Sequence, residues 1–198
     1  MTAPKTLLEL AGADLSLPRL SDSCVVLIDL QNEYRAGPLA LPGADAAIAS
    51  AARLLARARA AGAKIIHIAH KGRPGSLFDR EAERGAIVAA LKPGPDEPVI
   101  EKALPNAFAG TGLKELIAAT ERKNLVLAGF MTHMCVSSTA RAALDLGFRV
   151  TIDAESCATR DLPDGRGGAI AASTIHDVAL VELADRFAII ARDSAKLA

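Results

Sequence analysis

The sequence contains no tryptophan and a single tyrosine, Tyr34, so it has no supply of the aromatic platforms on which single-stranded nucleic acid stacks. It also lacks an excess of either charge. Its 23 Lys and Arg face 23 Asp and Glu, which leaves no electrostatic footprint for nucleic acid or an anionic membrane. The apolar runs are short and interrupted, far below the roughly 20 residues of a membrane span. Met1 to Leu20 carries an apolar patch broken by Glu9 and lacks the continuous core of a secretory signal. Cysteine is scarce and odd in number. Cys24, Cys135 and Cys157 cannot form an even disulfide framework, and unpaired thiols suit a reducing compartment. With 51% hydrophobic residues, a disordered chain is excluded. The expectation is a cytoplasmic protein of one domain, residues 1–198, with residues 1–20 as an N-terminal arm.

What is abundant is alanine, 41 of 198 residues, mostly in runs with Leu, Ile and Arg. That favours helices packed closely on something flat. Cys24 to Leu30 is a continuous apolar run interrupted only by Asp29, and reads as a strand buried on both faces. Pro42 opens and Gly62 closes a helical pattern whose apolar stripe is Ile48, Ala51, Ala52, Leu55 and Ala58, with Arg53 and Arg57 opposite. A second strand is expected over 63–70, a short helix over about 80–91 and a strand over 99–102. A helix over 112–122, a strand over 124–130, a helix over 135–146 and a strand over 149–154 follow. A last helix over about 168–183 leads to a strand over 187–191.

Strands alternating with helices predict right-handed crossovers and a parallel sheet covered on both faces. Ligands of such sheets bind outside the carboxyl ends of the strands, where strand order reverses. The residues to interrogate are therefore Asp29, His67 to Lys71, Lys102, Phe130 to Cys135 and Glu155 to Asp161.

Cys135 stands five residues past a strand, at or near a helix start, where amide N–H groups lower a thiol pKa and make a nucleophile. A cysteine chosen at random is more often a small core hydrophobe, which is the better reading for Cys24 at the opposite end of the sheet. Cys157 is a competitor on the carboxyl side. Asp29 in an apolar run needs a wet strand end or a partner, and a turn-capping role is its plain alternative. Lys102 alone would be a solvated lysine. Together the three supply an acid, a base and a thiol at three strand ends that can converge on one crevice.

These residues lie in motifs that resemble the isochorismatase-like cysteine hydrolases, the family of nicotinamidases and N-carbamoylsarcosine amidohydrolases. The motifs are Ile28-Asp29-Leu30-Gln31, Lys102-Ala-Leu-Pro-Asn106-Ala-Phe108, and Gly129-Phe-Met-Thr132-His-Met-Cys135-Val136-Ser-Ser-Thr139-Ala140, with Asp153-Ala154 after the fifth strand. The resemblance covers roughly Cys24 to Ile190. It implies Cys135 as nucleophile, Asp29 as acid/base and Lys102 as the residue that stabilises the charged pair. It further implies a non-proline cis peptide at Phe130-Met131, with the N–H groups of Met131 and Cys135 as oxyanion donors. The fold it implies is a three-layer α/β/α sandwich with a six-stranded parallel sheet in the order 3-2-1-4-5-6. It also implies a homo-oligomer, dimer or tetramer. Gln31, Tyr34, Phe108 and His133 are pocket candidates because they adjoin the trio.

The chain departs from nicotinamidases in the segment His67-Ile-Ala-His70. Two His three apart on a strand point to opposite faces and are poor co-ligands, so no metal and no cofactor is expected. One packed His and one lining the pocket or hydrogen-bonding is the favoured reading. Isochorismatases that cleave a vinyl ether lack the nucleophilic Cys, so Cys135 favours a non-peptide C–N bond in a small molecule. Arg160 to Asp164 is a lid, a subunit contact or a solvated loop. The alternatives are an isochorismatase-type hydrolase, a thiol redox protein pairing Cys135 with Cys157, and a silent binding protein on the same fold.

Overall fold

The computed structural model describes residues 3–198; Met1 and Thr2, the start of the expected arm, lie outside the described residues. The remainder of that arm holds a single helical turn, α1 (Leu7–Leu10), closed by a Thr6/Glu9 capping box and tied down by Leu7 N–H donating to Asp185 Oδ1 at 2.8 Å. The main elements then run β1 (Ser23–Ile28), α2 (Ala44–Ala60), β2 (Lys64–His70), β3 (Val99–Lys102), α3 (Leu113–Ala118), β4 (Asn124–Phe130), α4 (Ser137–Asp145) and β5 (Arg149–Ala158). They close with β6 (Leu162–Pro163), β7 (Ala169–Ile170), α5 (Ala172–Arg186) and β8 (Ile189–Ala191).

Six parallel strands form the main sheet in the order β3-β2-β1-β4-β5-β8. This is the expected order, with β8 as sixth strand because β6 and β7 form a small antiparallel hairpin of their own. Order reverses between β1 and β4, so the residues after Ile28 and after Phe130 flank one crevice. Both faces of the sheet are covered. Val25, Leu27 and Val126 join Ile48, Ala51, Leu54, Leu55 and Ala58 of α2, while Val26, Ile28 and Leu127 join Leu113, Ile117, Ala140, Ala143 and Leu183 of the other helices. Small alanines let these helices lie close on the strands. Among the described residues no helix is long and apolar enough to cross a membrane.

Three local expectations are corrected. The helix expected over 80–91 is instead two 3-10 turns, Glu83–Gly85 and Ala89–Leu91. Here the chain pairs with the segment leaving β1: Asn32 N–H donates to Ala86 O, Val88 N–H donates to Leu30 O, and Gln31 bridges Ile87. Those long-range bonds use groups a helix would need, and Gly85 packs where a Cβ would stand 1.9 Å from Asp79 O. The strand expected to end at 154 runs on to Ala158. Its ladder with β4 passes from Leu127↔Ile152 to Gly129↔Cys157, so β5 advances five residues while β4 advances two. This bulge absorbs Asp153 and Ser156 into a buried cluster, where Asp153 Oδ2 accepts from Ser156 Oγ at 2.6 Å and Ser194 Oγ at 2.8 Å. Arg57 does not occupy a free helix face. Its guanidinium donates to Ser194 O and Leu197 O and holds the C-terminal turn.

Candidate active site

Asp29 follows the last residue of β1 with φ +51°, a left-handed conformation that Asp tolerates better than most side chains. Gln31 N–H then donates to Asp29 O at 2.8 Å, closing a tight turn that leaves the Asp29 carboxylate fully buried at the switch point. Lys102 ends β3 and Cys135 lies in a π turn, Thr132–Val136, that carries the chain from β4 into α4. The structure brings the three together. Lys102 Nζ is 2.6 Å from Asp29 Oδ2 and donates to Cys135 Sγ at 3.3 Å. None is more than 4% exposed. The Phe130-Met131 peptide is cis, at the place the motifs imply.

Burial dominates the protonation of this trio. It drives the Asp29 carboxyl above the usual carboxylate range, with Lys102 opposing it. It also pushes the Cys135 thiol up to about 12, and the neighbouring Asp29 charge adds to the rise. The lowering expected at a helix start is therefore overturned: loss of water and the neighbouring Asp29 charge raise the thiol instead. Cys135 rests as a thiol beside Asp29 and Lys102. Cys157 is likewise pushed up to about 12 by burial; it sits within β5 opposite Gly129. All three cysteines are free and buried.

The other candidates separate. Tyr34 is buried beside the trio, edge-on to Phe130 at 5.4 Å and tilted against Phe78 at 5.2 Å; burial and the Asp29 and Cys135 charges push its hydroxyl up. Met131 is buried at the head of the π turn. His133 is half-buried and its Nδ1 bonds Thr159 Oγ1, while Thr132 Oγ1 bonds His176 Nδ1 at 2.9 Å. Gln31 spends its amide on backbone, donating to His70 O and Gly85 O and accepting from His70 N–H. Phe108 stacks on Phe148, with ring centroids 6.0 Å apart, and not on any member of the trio. Residues 160–164 include β6, the first strand of the β6–β7 hairpin, and Asp161 caps α5 by accepting from Ala172 N–H.

Phe78 escaped sequence reasoning. With φ +60° it lays its ring against both Tyr34 and His70. Arg160, which the sequence offers only as part of a lid, a subunit contact or a solvated loop, has a buried Nε with no partner among the described residues, and its charge reaches His133.

His67 and His70 point to opposite faces, as the strand period requires. His67 is buried away from the trio, with Nε2 3.0 Å from Glu97 Oε2. Arg59, the Gly94 N–H and His67 all bond Glu97 and hold its carboxyl down to about 2, against 4.5 in water. A depressed carboxylate stabilises the fold above about pH 4.5 and loses that contribution as pH falls towards 2. We expect about 1–2 kcal/mol after solvent screening. Thermal melts of wild type and Glu97→Gln should therefore differ at pH 6 and converge with acid. A constant gap would remove the assignment. Among the described residues no three His, Cys, Asp or Glu side chains group as metal ligands.

Comparison with known proteins agrees with this fold. Residues 23–193 match the isochorismatase domain family. The crystal structure of an isochorismatase from Pseudomonas putida KT2440 superposes with a TM-score of 0.95 at 41% identity, covering 99% of this chain and all of that one. Secreted isochorismatase effector Isc1 of Verticillium dahliae is 35% identical over 177 residues, 89% of this chain and 90% of its own length. Maleamate amidohydrolase of Pseudomonas putida is 31% identical over 153 residues, 69% of this chain and 72% of its own length.

Proposed function

The chain belongs to the isochorismatase family, and from that premise we propose that it is a cysteine-dependent hydrolase of a non-peptide amide-type C–N bond in a small molecule. The observation that carries this reading is the buried contact of Asp29, Lys102 and Cys135, an acid/base and a nucleophile bridged by one ammonium. The relative whose name states amide hydrolysis supports the bond type.

The reaction runs in two halves. As Cys135 Sγ attacks the carbonyl carbon, its proton passes to the Asp29 carboxylate. The oxyanion that forms is met by the N–H groups of Met131 and Cys135. The C–N bond then breaks, Asp29 returns the proton to the leaving nitrogen, and the acyl group stays on sulfur as a thioester. Water attacks the thioester, giving one proton to Asp29; the C–S bond then breaks, Asp29 passes that proton to Sγ to reform the thiol, and the acid product leaves. An Asp29 pKa raised by burial suits a group that takes and returns a proton. Lys102, in contact with both Asp29 and Cys135, steadies whichever of them is the anion. The near-complete burial of the trio limits the substrate to small molecules, with no part for nucleic acid or membrane.

A homo-oligomer, dimer or tetramer, belongs to the same proposal. Ile170, Val178 and Val181 offer it an exposed apolar face. So does a cytoplasmic setting, which suits three unpaired thiols.

A panel of small amides, ureido compounds and lactams tests the reading, with ammonia or amine release as one readout and mass mapping of trapped protein as the other. Turnover with an acyl adduct on the Cys135 peptide is expected. An adduct on Cys157, or turnover without any thiol adduct, would overturn it.

A further inference from the structure

The Lys102 ammonium has three N–H bonds and three neighbours: Asp29 Oδ2 at 2.6 Å, Cys135 Sγ at 3.3 Å and His70 Nδ1 at 3.4 Å. An ammonium only donates, so Nδ1 must offer a lone pair and the ring proton must sit on Nε2. We infer that His70 is a positioning residue of the reaction: as the neutral Nε2–H tautomer it takes the third Lys102 N–H and so aims the ammonium at Asp29 and Cys135 together.

Three features of the fold fix His70 for that task. His70 and Lys102 are register partners at the end of the β2–β3 ladder, so their side chains leave the same face of the sheet. The His70 backbone is held by Gln31. The β1–β2 ladder ends at Ile28↔Ile68 because Asp29 turns away, and the Gln31 amide supplies what resembles one further rung. Its Oε1 accepts from His70 N–H at 2.8 Å and its Nε2 donates to His70 O at 3.0 Å, with a second donation to Gly85 O at 2.7 Å. The imidazole itself lies against Phe78, centroids 4.9 Å apart. Burial and the Lys102 charge both depress its pKa, in keeping with a neutral ring. Gln31 thus acts on the chemistry through His70 and not by touching substrate.

Loss of the Nδ1 acceptor would leave a buried N–H of Lys102 without a partner. The ammonium would then re-aim, and the Cys135 thiolate would lose its nearest positive charge.

The probe is iodoacetamide, with the alkylation rate of Cys135 followed by peptide mapping at fixed pH. His70→Asn puts an amide oxygen near the place of Nδ1. His70→Leu removes the acceptor, and His70→Gln places its amide near Nε2 instead, as a polar variant should Leu not fold. Leu and Gln are expected to slow alkylation about tenfold or more, and Asn to stay within about threefold of wild type. Imidazole 15N shifts of the wild type should report the Nε2–H tautomer. Equal rates in all four proteins, an Asn variant as slow as Gln, or an Nδ1–H signature would overturn the inference. It rests on the proposed thiol chemistry, yet alkylation needs no substrate. An inert amide panel with the His70 dependence intact would therefore sink the hydrolase reading alone.

Discussion

Asp29→Asn is expected to move turnover and thiol reactivity in opposite directions, while Cys135→Ala removes turnover altogether. With the thiol pushed up to about 12, Cys135 at neutral pH is a thiol and not a thiolate. Attack must therefore be coupled to proton transfer, and Asp29 is the acceptor in reach. An isosteric amide cannot take that proton, so amide turnover should fall by about 10²–10⁴. The same substitution deletes the negative charge that helps to hold the thiol up, and leaves Lys102 with the sulfur as its remaining anionic partner. Iodoacetamide should then modify Cys135 faster than in wild type. Parallel loss of both would mean that Asp29 only maintains geometry. The double variant should be no worse than Cys135→Ala, because residues acting as one unit do not contribute additively.

The centre of this mechanism was legible in the linear chain because it rests on short-range signals. An apolar run with one carboxylate in it, a lysine at the end of a short strand and a cysteine just past a buried strand each mark a strand terminus. Parallel topology then carries those termini to one end of the sheet. The order of the strands came with the family resemblance, and the register of β1 against β4 agrees with it. What escaped depends on partners far away in sequence. Gln31 looked like a substrate contact, but its amide is consumed by His70 and by Gly85, 39 and 54 positions away. The residues after 154 read as a loop, yet β5 runs on through them to Ala158 and gives Asp153 the hydroxyls of Ser156 and Ser194. The segment 83–91 has helical composition and loses its helix to pairing with residues 30–32. The direction of the Cys135 shift escaped for a related reason: a helix start can be seen in a sequence, whereas the depth of burial and the nearness of Asp29 cannot.

Gly129→Ala is expected to damage the fold and the site together. Gly129 is the residue of β4 that faces Ile28 of β1, one position before Asp29 on one strand and two before Met131 on the other. A Cβ there would stand 1.9 Å from Ile28 O and 2.8 Å from Ile28 C and N. The obstacle is backbone of the central strand, which cannot rotate aside as a side chain would. Its φ of +130° is also one that L side chains rarely adopt. To admit the methyl, β1 and β4 must separate at the switch point, and both halves of the site move with them. We expect a loss of more than about 3 kcal/mol in denaturant unfolding, or failure to accumulate as soluble protein. Gly147→Ala is the control. That glycine also has positive φ, +82°, but nothing lies within 4 Å of its Cβ position. Its substitution should cost about 1–2 kcal/mol of backbone strain and leave turnover intact. If the two variants unfold at the same denaturant concentration, Ile28 yields at little cost and the close approach of β1 to β4 does not set the site. If Gly129→Ala is selectively damaged, the spacing of the two central strands is what brings Asp29 within reach of the thiol.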